Sequence, residues 1–118
     1  MTTITRRAAL GSFAALAAAP ARAHHGWGGY DANTVLTFEG PVLVSKYENP
    51  HGEVEMMHEG RRWTCTLAPP FRMQARGLPP EDIAVGKVVR VIGYPNRVRD
   101  AEMRVERIVI AGKTIELR

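Results

Sequence analysis

All four histidines of the chain, His24, His25, His51 and His58, fall within residues 24–58. Imidazole is the commonest protein ligand for transition metals, so their grouping raises metal chemistry first. Ala21 and Ala23 stand just before the histidine pair, as the small residues of an A-x-A processing site do. Cleavage after Ala23 makes His24 the first residue. Its free α-amine and its own Nδ1 then close a six-membered chelate ring on one ion. An α-amine titrates at roughly 7.7–8.0, so its neutral donor form is within reach near neutral pH. One further imidazole completes a T-shaped set of three nitrogens, which suits Cu(II).

His51 is the expected third donor, held by the turn Asn49-Pro50-His51-Gly52, where proline and glycine each fix a local dihedral. His25 is the alternative. The finished arrangement resembles the histidine brace of copper monooxygenases and of some periplasmic copper carriers. Met56, Met57 and His58 form a second cluster. Neighbouring residues of a strand point to opposite faces, so only one of the two methionines can join a given site. A thioether such as that of Met56 favours Cu(I). Asp31 and Glu53 are the acids placed to orient an imidazole.

Plainer readings stand beside each of these. His24-His25 is equally a solvated terminus, and His51 a residue that only completes its turn. Met56 is equally core filler, and His58, before Glu59-Gly60, a solvated hairpin residue. Cys65, the single cysteine, alternates with Trp63 and Leu67 and reads as a small buried hydrophobe. It excludes an intrachain disulfide. Glu53 and Glu55 share a strand face among polar neighbours, as solvated acids do. Ser45 is the only serine beyond residue 23, no serine or threonine has activating context, and no phosphate loop is present. The residues therefore point away from an enzyme.

Residues 1–23 read as a signal peptide. Arg6-Arg7 precede an uncharged, alanine-dominated run from Ala8 to Ala21, too short to span a bilayer. Thr5-Arg6-Arg7-Ala8-Ala9-Leu10 resembles a twin-arginine signal, with Ala9 where phenylalanine is usual. Either export route places the product in a bacterial periplasm or outside the cell. Three of the 16 basic residues, Arg6, Arg7 and Arg22, belong to this leader, leaving 13 against 12 acidic groups. The remaining chain is nearly neutral, so it lacks the footprint of a nucleic-acid binder.

The elements that must hold these side chains are strands. Residues 24–34, glycine-rich and polar, form a flexible lead-in that Trp27 and Tyr30 pin by their rings. Residues 35–118 form the domain. Leu36, Phe38, Val42 and Val44 share one phase of a first strand, Val35 to Glu48, bent at Gly40-Pro41. Glu53 to His58 and Arg61 to Leu67 are the second and third strands, joined at Glu59-Gly60. Phe71 to Arg76 is a short helix closed by Gly77. Lys87 to Tyr94 and Glu102 to Ile110 are the fourth and fifth strands. The fifth changes apolar phase from Met103 and Val105 to Ile108 and Ile110, which predicts a bulge at Glu106-Arg107. A short last strand follows, Thr114 to Leu117. Three strands, a helix, then two strands is the order of an OB-like five-stranded barrel, all-β with a small α part.

The motifs that surround these elements resemble a family of small exported bacterial proteins catalogued as a domain of unknown function. The resemblance is carried by His24-His25, Asp31, Gly40-Pro41-Val42 and Asn49-Pro50-His51. It continues through Trp63, Ala68-Pro69-Pro70, Arg76-Gly77, Val85-Gly86-Lys87-Val88, Gly93-Tyr94-Pro95 and Gly112-Lys113-Thr114. It implies export and a shared fold but no activity. Together the residues predict a periplasmic binding protein that holds copper or a similar ion through His24 and His51. The alternative is an exported OB-like module that binds a protein or small molecule without metal.

Overall fold

The computed structural model describes residues 26–118. The expected leader, residues 1–23, and the pair His24-His25 lie outside the described residues. Among these residues seven strands occur, where a five-stranded barrel and a short last strand were expected: β1 (Leu36–Pro41), β2 (Val44–Lys46), β3 (Glu53–His58), β4 (Arg61–Thr66), β5 (Val88–Pro95), β6 (Glu102–Ile110) and β7 (Lys113–Glu116). One helix, α1 (Pro70–Ala75), follows β4, and single 3-10 turns occupy Trp27–Gly29 and Pro80–Ile83. Among the described residues, no helix is long and apolar enough to cross a membrane.

The higher strand count has a physical cause at Pro41. The first strand changes partner there. β1 pairs antiparallel with β5, from Leu36 opposite Gly93 to Pro41 opposite Val88. β2 pairs antiparallel with β3 instead. The two residues between them serve both neighbours: Val42 N–H donates to Lys87 O at 2.9 Å and Leu43 N–H donates to Glu55 O at 2.8 Å. Proline can end a ladder because it offers no N–H to continue it. The seventh strand, β7, returns antiparallel along β6 through a tight turn at Ala111-Gly112, both at positive φ.

The sheet runs β1-β5-β6-β4-β3-β2, with β7 beside β6. β4 and β6 are parallel; the other pairs are antiparallel. The two outer members, β1 and β2, are successive pieces of one chain segment, so the sheet must curl. Its concave side holds Phe38, Val54, Met56, Cys65, Leu67, Val89, Val91, Met103, Val105 and Ile108, all buried. Met73 of α1, with Leu78 and Ile83 beyond it, is buried in the same cluster. Gly77, at φ 86°, ends the helix, and Leu78 N–H donates back to Met73 O at 2.8 Å.

The expected bulge is present. Ile92 faces Arg107 and Gly93 faces Val105, which leaves Glu106 unpaired between them. Gly93 is required there, because a Cβ on it would run into the carbonyl of Arg104. The bulge lets Met103 and Val105 face the core on one side of it and Ile108 on the other.

Candidate functional site

His51 stands in the β2–β3 loop. The next residue, Gly52, is bonded on both sides to the chain after β4: its N–H donates to Ala68 O and its carbonyl accepts from Leu67 N–H, each at 2.8 Å. A Cβ on Gly52 would overlap the terminal methyl of Met73, so glycine allows this loop to close over α1. The His51 imidazole is partly buried. Burial holds its pKa below the ordinary 6.5, and the charges of Arg104 and Arg72 act in the same direction. It is a neutral ring with a free lone pair at neutral pH.

Arg104 is the centre of this region. It lies on β6, between Tyr94 of β5 and Thr66 of β4 in the register. It is only 5% exposed, and it is the one buried charged residue among those described. Its Nε makes no hydrogen bond. What covers it is Trp27, whose ring centroid lies 4.6 Å from the Arg104 guanidinium and 4.6 Å from that of Arg118. Tyr94 meets the same indole edge-on at 6.1 Å. Two cations on one ring, partly out of water, hold it firmly.

Trp27 is delivered by a lead-in that is sewn to the end of β5. Tyr30 bridges to Asn96, Asp31 N–H donates to Pro95 O at 2.9 Å, and Arg97 N–H donates to Gly29 O at 2.9 Å. Asp31 spends its carboxylate on its own turn, accepting from Asn33 N–H at 3.0 Å and Thr34 Oγ1 at 2.8 Å. Those two bonds hold its pKa low. Glu106 anchors the far side, accepting from Tyr94 Oη at 3.0 Å and pairing with Arg118 at 3.2 Å and Arg107 at 3.2 Å.

The other expected ligands are placed elsewhere. Met56 is fully buried in the core, and Met57 faces outward. His58 does not float at its hairpin. Its ring stacks on Phe38 at 4.1 Å and 11°, with Trp63 edge-on at 6.1 Å. The trio lies where β1 comes against β3. No ladder joins those two strands among the described residues. Glu53 lies 4.0 Å from Lys46. Cys65 is buried, and its thiol is pushed up to about 12, chiefly by burial. Among the described residues no three His, Cys, Asp or Glu side chains gather into a ligand set. Sequence reasoning counts Arg104 only with Arg97, Arg99 and Arg107, as a basic set that could recognise an anionic partner; it misses the burial of Arg104 and the two-cation seat of Trp27, which only the isolated indole in a glycine-rich lead-in signalled.

The family model of DUF6152, a family of unknown function, matches residues 13–104, and the chain belongs to that family. No curated protein matches it.

Proposed function

We propose that this member of the family is an exported binding protein that holds a transition-metal ion, copper in the first place, between its processed amino terminus and His51. The ligands are the amine and ring of His24 together with the His51 ring, with His25 as the alternative donor. The role is carriage or buffering in the periplasm. We read the curled sheet as an OB-type barrel. Its first strand is shared between β3 and β5, its third and last main strands are parallel, and its helix falls between the third and fourth. In such barrels the loop between the first two strands, here the loop of His51, lines the usual ligand rim.

One observation carries the metal reading. Trp27 is seated on Arg104, the same guanidinium whose charge acts on His51. The lead-in is thus seated on the residue whose charge is felt at His51. His24 is three residues upstream, a reach of roughly 10 Å in extended chain. Met56 takes no part, because its sulfur is enclosed by the core.

The test is a Cu(II) titration of protein beginning at His24, followed by EPR. One ion per chain with a nitrogen-rich spectrum is expected. Adding a single residue before His24 removes the terminal chelate and should weaken binding by at least about tenfold. Unchanged affinity and spectrum in the extended protein would sink the reading.

A further inference from the structure

We infer that Arg104, together with Arg72, forms a subsite for a small oxyanion, a carboxylate or a phosphate group, on the outer face of β4–β6–β5. The inference is independent of the metal reading, because it uses neither His24 nor His25.

The starting point is an imbalance. Arg104 is 95% withdrawn from solvent, yet no carboxylate of the described residues pairs with it. Its Nε is without a partner. A buried guanidinium that lacks a counter-charge costs a fold heavily, and native proteins seldom leave one so. The acids nearby are already used. Glu106 holds Arg118, Arg107 and Tyr94, and Glu116 holds Arg107 at 3.1 Å.

The surroundings sharpen the class of ligand. The charge of Arg72 bears on both Arg104 and His51, and its only side-chain hydrogen bond among the described residues is a long one, 3.4 Å, to Leu117 O. It retains most of its donors. Arg76, by contrast, is committed to the carbonyl of Glu116 at 2.7 Å. A guanidinium fork matches two oxygens of one anion, which a point charge does not. Trp27 walls one face of the Arg104 guanidinium, 4.6 Å from its ring centroid. The domain beyond the leader carries 13 basic and 12 acidic groups, so the attraction is local and favours a small anion over a polyanion.

The experiment uses the chain from His24 onward in buffer stripped of metal. Trp63→Phe leaves Trp27 as the reporting indole, since the chain has two tryptophans. Inorganic phosphate, acetate and, at equal ionic strength, chloride are titrated separately while Trp27 fluorescence is read. A saturable change with phosphate or with acetate, absent with chloride, is expected; the anion that saturates names the class. Arg104→Gln should weaken that affinity at least about tenfold, and Arg104→Lys should not restore it, because lysine lacks the fork. Should Arg104→Gln fail to fold, Arg72→Gln, on the helix surface, supplies the same test with a smaller loss. A response that never saturates, or affinity unchanged in Arg72→Gln and in a folded Arg104 variant, overturns the inference. Copper binding that fails while the anion still saturates would refute the metal reading alone.

Discussion

His51 and His58 bracket the same strand, yet the fold treats them oppositely. His58 is packed: Phe38 lies flat on it and Trp63 meets its edge, closing the seam where β1 and β3 touch without hydrogen bonds. His51 feels the charges of Arg104 and Arg72, and Arg104 is covered by the Trp27 indole of the lead-in. One region is joined by apolar area; the other carries more positive charge than it neutralises. The contrast separates two uses of an aromatic side chain. At the seam, rings replace missing strand hydrogen bonds. At Arg104, a ring covers a charge without cancelling it. Stability should therefore reside at the first region and ligand chemistry at the second.

The largest effect expected from this division is at the seam. Phe38→Ala removes the ring that joins β1 to β3 and should cost about 4 kcal/mol, the usual range for a buried aromatic. Urea unfolding would show it as a lower midpoint. A loss below about 1 kcal/mol would mean that the seam does not hold the sheet curled. Gly93→Ala comes next. Its Cβ meets backbone, the Arg104 carbonyl, and β5 must move away from β6. About 3 kcal/mol is expected, whereas Gly52→Ala, which meets only the flexible end of Met73, should cost about 1 kcal/mol. Equal costs at the two glycines would show that the bulge can yield, and would weaken the case that Arg104 is rigidly placed. Trp27→Ala ranks third, at about 1–2 kcal/mol for a partly desolvated cation–π contact. Here stability is the lesser readout. Loss of the indole should also loosen the lead-in, seen as faster amide exchange at Tyr30 and Asp31. Unchanged exchange would mean that the bonds to β5 suffice without Trp27.

These two regions were not equally legible in the sequence. The inward faces of β3 and β4 read directly, because Val54 and Met56, then Trp63, Cys65 and Leu67, obey a local period of two. The bulge at Glu106 was legible for the same reason: the phase changes between Val105 and Ile108 within one strand. The split of the first strand was legible only as a bend at Gly40-Pro41. Val42 keeps the apolar phase straight through the break, and what changes is the partner, a non-local event. His58 read as solvated because its neighbours Glu59 and Gly60 are turn residues. Its packing depends on where β1 lands, which no local pattern states. In the sequence Arg104 stands out only as one of the basic residues Arg97, Arg99, Arg104 and Arg107. Its burial comes from Trp27, which reaches it from the far end of the described chain. Local periodicity thus specified the seam's strands and left the charged patch, made by distant segments, out of view.

The smallest effect, and the one that isolates the charged region, is a pH dependence. In the folded protein His51 has a pKa below its ordinary 6.5, first through burial and then through Arg104 and Arg72. In the unfolded chain the ring is free of these and binds a proton more readily. As pH falls through about 6.5 the unfolded state gains protons first, so stability declines. The decline continues down to the folded pKa, below which both states are protonated and this contribution is constant. His51→Gln removes the group, so the difference in unfolding free energy between wild type and variant should change across that window and be flat above it. Carboxylates shared by both proteins cancel in that difference. Adding Arg104→Gln to the wild type should shrink the same pH-dependent difference, since one of the charges acting on His51 is gone. If His51→Gln leaves the slope between pH 7 and pH 5 unaltered, the ring is more solvated than the packing of its loop against α1 requires, and the charged patch does not extend to it.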